Sequence, residues 1–370
     1  MNSKAIILSL LVFFSLAFSC VDNSKDEPKT NYKDLFENLA QHRIRPTYTA
    51  FLTDLTTLNQ KVEQFDNQQS EQNLEALRTA FKSNYLLWQS VSMFNFGPAK
   101  DADVLLDVHA NTFPTDVDLI EDNIQTGNTN FDAANQYAAQ GFPALEFLLY
   151  GDGQTTTELL ASFEDENRRD YLKAIIDVLI TKVELINTRW ETYESTFSSN
   201  SGTGNASSLT LLFNAYLEHY EHIKRDKFAL PAGYASSFGV SIDKDSKKVE
   251  GLYSELSFQL MLAALEAQVD CFRGLSLDGA EGVGFEDKLI ELSAKSDIIE
   301  GPLNEAILTQ LSLAKSALSS YSNAFDVEIE NSNSQLEETN TILQKVVPML
   351  KIELRNYLEV PLTSSDSDGD

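Results

Sequence analysis

From residue 31 onward, apolar side chains recur at spacings of three and four, the period of a helix that buries one face. Leu35, Leu39 and His42 share one stripe, and Pro46 then marks a kink or a break. Phe51, Leu55, Leu58 and Val62 continue the pattern. A longer segment over 70–96 carries Leu74, Leu77, Phe81, Tyr85, Trp88 and Val91, and Phe96-Gly97-Pro98-Ala99 should end it. Short pieces follow near 104–108 and 117–124. A helix over 141–150 then begins with Pro143 in its first turn, where a missing N–H costs nothing. Further helices are expected over 164–197, 207–228, 249–272, 301–325 and 333–358. No stretch alternates in the manner of a strand, so the fold class is all-α, in helical bundles.

The pattern also divides the chain. The dip Gly151-Asp152-Gly153-Gln154-Thr155-Thr156-Thr157 reads as a linker, giving an N-terminal helical half over 31–153 and a C-terminal half over 158–362. The halves echo one another. Phe81, Tyr85, Trp88 and the Phe96–Ala99 turn are matched by Phe213, Tyr216, Tyr220 and Phe228-Ala229-Leu230-Pro231-Ala232-Gly233. Ala144-Leu145-Glu146 running to Gly151 is matched by Ala264-Leu265-Glu266 running to Gly274. An internal duplication into two similar halves is the expectation.

Composition narrows the partners. The 370 residues are enough for two domains, and 42% hydrophobic with 23% charged residues is a globular balance. A formal charge of -28 with no basic stripe excludes a nucleic-acid partner. Residues 1–19 have the layout of a signal peptide, Lys4 followed by an apolar run too short to span a bilayer comfortably. Leu16-Ala17-Phe18-Ser19-Cys20 resembles a bacterial lipobox, in which Cys20 becomes a lipid-modified N-terminus, although Phe18 is bulkier than usual there. The expected location is the cell envelope, lipid-anchored on the periplasmic side or at the surface of the outer membrane. Residues 20–30 then form a polar, flexible tether, and 363–370 an acidic disordered tail. With Cys20 acylated, Cys271 has no partner within the chain and reads as a buried, inert thiol.

Gly141-Phe142-Pro143-Ala144-Leu145-Glu146, with the export cysteine and the repeated all-helical halves, resembles the imelysin-like proteins and their Gly-x-His-x-x-Glu motif. The resemblance implies two similar helical domains with a cleft between them, an envelope location, association with envelope uptake proteins, and a link to iron acquisition. Iron is therefore the cofactor to test. Some members have been described as metal-dependent peptidases. Gly141 and Glu146 match the motif, but Pro143 stands at the position of its histidine. Histidine and glutamate at i and i+3 share a helix face and can share a metal ion or a proton; proline offers no lone pair. One glutamate is a poor transition-metal site. Glu146 also has a structural explanation, a first-turn carboxylate held by its own helix's free N–H groups.

Replacement ligands are scarce. There are 4 histidines, and only Glu218-His219-Tyr220-Glu221-His222 is a dense cluster. His219 and His222 share a face at i, i+3, which is not the His-Glu-x-x-His spacing, and a solvated face is the expectation. His42 and His109 are isolated. Lys224-Arg225-Asp226-Lys227 either lines the cleft and meets an anion or forms a solvated face with internal ion pairs. Candidate binding residues are Gly141, Glu146, Trp88, Asn95, Lys224 and Arg225, with Cys20 as the lipidation site. The reading is a non-catalytic binding component with its site between the halves. A metal-dependent peptidase and a non-binding scaffold are the alternatives.

Overall fold

The computed structural model describes residues 30–237 and 239–363. The signal segment, Cys20, most of the tether and nearly all of the acidic tail lie outside them. The described chain is helical almost throughout. It opens with α1 (Lys33–Asn38), a widened π turn (Leu39–Ile44) and α2 (Arg45–Asn67). Next come α3 (Glu71–Val91), α4 (Leu106–Ala110), α5 (Val117–Thr126), α6 (Gly141–Tyr150), α7 (Thr156–Ser162) and the long α8 (Glu166–Ser199). After a loop, α9 (Ser208–Glu221) runs through a second π turn (His222–Ala229) into α10 (Leu230–Ala232). The rest comprises the ribbon β1 (Ser236–Ser237) and β2 (Val240–Ser241), then α11 (Ser257–Phe272) and α12 (Phe285–Glu291). A second ribbon, β3 (Lys295–Ser296) and β4 (Gly301–Pro302), leads into α13 (Leu303–Ser319) and α14 (Phe325–Glu330). The closing rod is α15 (Gln335–Gln344), α16 (Val346–Pro348), a third π turn (Met349–Leu354) and α17 (Arg355–Leu358).

The helix starts follow local chemistry. Side chains of Ser70, Asp116, Asp165 and Ser207 cap N-terminal N–H groups, and Thr155 with Glu158 forms a reciprocal capping box. Pro46 explains the first π turn. Lacking an N–H, it frees the carbonyl of His42, which accepts instead from Leu277 N at 2.9 Å. The expected break at Pro46 is thus a widened turn that ties the first helix to a loop of the second bundle.

Several boundaries differ from the sequence expectation; the helix expected over 301–325, for instance, ends at Ser319, and Phe325 opens α14. α3 ends at Val91 and tightens into a 3₁₀ turn over Ser92–Phe94. The helix expected from 249 begins only at Ser257, because Gly251 (φ 72) and Glu255 (φ 56) are left-handed. Most consequentially, α8 packs on α2, α4, α5 and α6. The chain therefore changes partners at the loop over 200–207, not at 151–157.

The first bundle is built around α2, α3, α6 and α8, and the second around α9, α11, α13 and α15. α3 packs along α11, and the turn after α3 packs on α9, so the contact between bundles runs beside Trp88 and His219. One continuous apolar core extends through both bundles. Within it Phe142 stacks on Tyr85 with centroids 4.8 Å apart and rings 8° from parallel, and it also meets Phe51, Phe81 and Trp88. That aromatic cluster locks α6 against the inter-bundle face.

Candidate functional site between the bundles

Two adjoining hollows open at this contact, sharing Phe113 and Pro114 as a common wall. The larger has a volume of about 230 Å³. The end of α3 supplies Trp88, Ser92 and Asn95; α4 and its turn supply Asp107, Asn111 and Thr112; α9 and the second π turn supply Glu218, His219, His222, Asp226 and Lys227. The widened turn sets His222, Asp226 and Lys227 on one wall, a common use of π turns at functional sites.

His222 Nδ1 lies 2.5 Å from Asp226 Oδ2. Burial works against the charged imidazole, but the Asp226 hydrogen bond and the charges of Asp226, Asp107 and Glu218 outweigh it and raise its pKa. The Asp226 carboxyl is held low, since His222 and Arg225 overcome its own burial. Asp107 behaves oppositely. Burial lifts its carboxyl above the ordinary range despite the opposing charge of His222. Among the described residues no hydrogen bond or ion pair reaches the side chains of Asp107 or Asn95, and both line the cavity.

Behind this wall is a polar network, buried except for the half-buried Asn111. Lys227 Nζ donates to Glu250 Oε2 at 2.5 Å and to Gln89 Oε1 at 2.9 Å. Glu250 Oε1 accepts from Asn111 Nδ2 at 2.8 Å and Gln89 Nε2 at 3.2 Å, while Tyr85 donates to Asn111 Oδ1 at 3.0 Å. A buried pair with this many hydrogen bonds to its partners holds rigid geometry. His219 belongs to this layer too, correcting its expected solvated face. Its Nε2 lies 2.8 Å from Gln89 O and so carries the proton, leaving Nδ1 to accept from Gln268 at 2.8 Å. Burial depresses its pKa to about 3, and a neutral ring with both nitrogens engaged has nothing left for a metal.

The smaller hollow, about 30 Å³, holds Pro143 and Glu146. Glu146 does not lean on its own helix's N-terminal amides, the structural explanation read from sequence. Its Oε1 accepts from Ser254 N at 2.9 Å and from the Ser254 hydroxyl. Burial, with nearby Glu250, pushes its pKa up to about 7 against the lowering effect of Ser254. Gly141 (φ 70) lines neither hollow. A Cβ there would lie 2.2 Å from Ala110 O, so this glycine permits α4 and α6 to meet. His109 braces the same joint through Gln140 Oε1 at 2.9 Å. His42 is exposed.

The structure brings Trp88 and Asn95 together in the larger cavity and Glu146 beside it. Lys224 and Arg225 line a separate hollow of about 170 Å³ with Ser236, Asn340 and Gln344. The basic run is thus split, with Lys227 alone of its cations at the inter-bundle cavity and Arg225 paired to Asp226 at 2.9 Å. Sequence reading missed Asp107, Asn111, Gln89 and Glu250. No local signal marks them, since each is an ordinary polar residue until α3, α4 and the 250 loop converge. Among the described residues no three His, Cys, Asp or Glu side chains are placed to hold a metal ion. The donor set does not fit a resident metal, because Pro143 has no ligand atom and Glu146 is committed to Ser254.

The fold has solved counterparts. An iron-regulated protein A precursor from Parabacteroides distasonis superposes with a TM-score of 0.73 at 17% identity, over 90% of this chain and 97% of that one. An imelysin-like protein from Psychrobacter arcticum gives 0.68 at 17% identity, over 90% and 96%. At such identity the likeness speaks to the fold alone. No curated protein matches the chain. The imelysin family model matches residues 44–347, both bundles and the contact between them, and the chain belongs to the imelysin family.

Proposed function

We propose that this imelysin-family chain is a cell-envelope lipoprotein, anchored through Cys20, that binds a small ligand in the inter-bundle cavity and serves iron or other nutrient uptake without catalysis. The observation that carries the reading is the Asp107 carboxyl. It is half-buried, raised in pKa and without a hydrogen-bonded protein partner, and it faces a hollow of about 230 Å³ walled by both bundles. An acceptor left open toward such a hollow is free to meet a ligand's donor. His222, Asn95 and the Trp88 edge surround the same space. The link to iron is supported by membership of the imelysin family and by the description of the Parabacteroides protein as iron-regulated.

The test is a thermal-shift screen of the mature chain over ferrous, ferric and zinc ions, haem and siderophores, since a ligand that binds only the native state raises Tm. The reading expects at least one ligand to raise Tm in the wild type and to lose that effect in Asp107→Ala and His222→Ala. No stabilisation by any of them favours the scaffold alternative, and equal stabilisation of both variants removes the cavity from the account.

A further inference from the structure

The end of the molecule at which the N-terminal chain enters carries an unusual set of exposed side chains. Tyr32 packs there, with its hydroxyl pKa pushed up to about 12 by burial and by the charges of Glu359 and Glu291. Asp34 pairs with Lys288 of α12 at 2.8 Å. Tyr357 of α17 bridges the backbone of Lys295, accepting from N at 3.0 Å and donating to O at 3.1 Å. The turn between β3 and β4 is pinned on Glu353, whose Oε1 accepts from Asp297 N at 2.5 Å and Ile298 N at 3.3 Å. The start of α1, α12, the β3–β4 turn and the last π turn therefore form one end of the second bundle.

On these elements lie Ile290 (57% exposed), Ile298 (46%), Ile299 (38%) and Ile352 (55%). They are four of the nine large apolar side chains exposed among the described residues, concentrated on one end of a strongly acidic chain. The turn is rigidly held, so Ile298 and Ile299 are presented outward by design of its hydrogen bonds to Glu353. Ten residues separate Cys20 from Thr30, a span of about 35 Å at most when fully extended. Whatever Cys20 is attached to lies within that reach of Thr30, four residues before the Asp34 that pairs with α12.

We propose that this end rests on a zwitterionic phospholipid surface, with Ile298, Ile299, Ile352 and Ile290 seated at the headgroup–acyl boundary. The inference depends on Cys20 being the anchor. A single lipid attachment holds a protein near a bilayer but leaves its orientation free, and a second, apolar contact fixes it. The rim is acidic, with Glu291, Asp297, Glu300 and Glu359 beside Lys295, which favours neutral headgroups over anionic ones. Docking here would place the inter-bundle cavity in a fixed relation to the membrane.

The test couples the mature chain through Cys20 to maleimide-bearing lipid in phosphatidylcholine vesicles. Cys271 is buried with its thiol pKa raised to about 12 and stays unreacted. Two variants are compared, Ile299→Trp and Val240→Trp. Val240 is 69% exposed on the other ribbon; Lys244, just after that ribbon, donates to Ile329 O of α14 at 3.0 Å, and α14 follows the end of α13 opposite to β3 and β4. With brominated lipid the Ile299→Trp emission should fall by roughly half, as expected for a side chain at the acyl boundary, while Val240→Trp is unchanged. Adding Ile298→Ser and Ile352→Ser, or substituting anionic lipid, should reduce that quenching. Equal quenching at both positions, with flotation proving attachment, overturns the proposal. So does protection of Ile299→Trp in the untethered chain accompanied by a dimer mass, which assigns the patch to a second copy. Whether Cys20 carries lipid in cells is read separately from the mass of the N-terminal peptide. An unmodified cysteine there sinks the anchor reading whatever the vesicles report.

Discussion

Glu146 and Asp107 are both acids at the contact between bundles, and both have raised pKa values, yet Glu146 is buried, Asp107 is half-buried, and their settings differ. Glu146 sits in a cleft too small for a ligand, its oxygen already taken by Ser254. Asp107 faces the larger cavity without a partner. The motif residue thus clamps the second bundle's loop to α6, while the residue able to meet a ligand lies outside any motif. Resemblance locates the neighbourhood; only three-dimensional proximity locates the open group.

The sharpest way to break the comparison is to remove the scaffold both acids share. Lys227→Met leaves Glu250 buried without its cation and should cost about 4 kcal/mol in urea unfolding. A loss under about 1 kcal/mol would mean the network does not hold the contact. Gly141→Ala puts a Cβ against Ala110 O at a left-handed position and should cost about 3 kcal/mol by the same measurement.

Glu146 gives a pH signature. Its folded pKa, about 7, lies above the unfolded value, so the stability linked to its protonated form is complete below about pH 4.5 and is lost as pH rises through about 7. The term amounts to at most roughly 3 kcal/mol. Glu146→Gln should flatten unfolding free energy over that window, and an unchanged profile would show that Glu146 does not titrate there. His222, also raised, contributes stability present below its ordinary value near pH 6.5 and lost as pH climbs through its folded pKa. In His222→Asn that loss should disappear from the unfolding profile.

The smallest effect is expected at Glu266, the sequence echo of Glu146. It is exposed and paired with Lys315 on α13. Glu266→Gln should change stability by less than about 0.5 kcal/mol and leave pH dependence intact. A Glu146-like profile there would show that the two glutamates behave alike despite their different burial.

Much of this was legible in the chain. The stripes through Phe51–Val62 and Leu74–Val91 place the core of α2 and α3, because a buried helix face must repeat at three and four. Pro143 fits α6 as read. What escaped depends on distance along the chain. α8 has the period of any amphipathic helix, and nothing local assigns it to the first bundle. Lys224, Arg225 and Lys227 lie within four residues, yet the π turn sends them to different hollows. Glu146 reads as self-sufficient in the sequence because its partner, Ser254, is 108 residues away.

The most direct test of binding without catalysis is an assay of purified mature protein on unfolded protein substrates, with and without chelator, beside elemental analysis. The account expects no cleavage, no stoichiometric metal and the same null result for Glu146→Ala. Metal-dependent cleavage that chelator stops and Glu146→Ala abolishes would contradict it, and would return the Gly141–Glu146 segment to the centre of the chemistry.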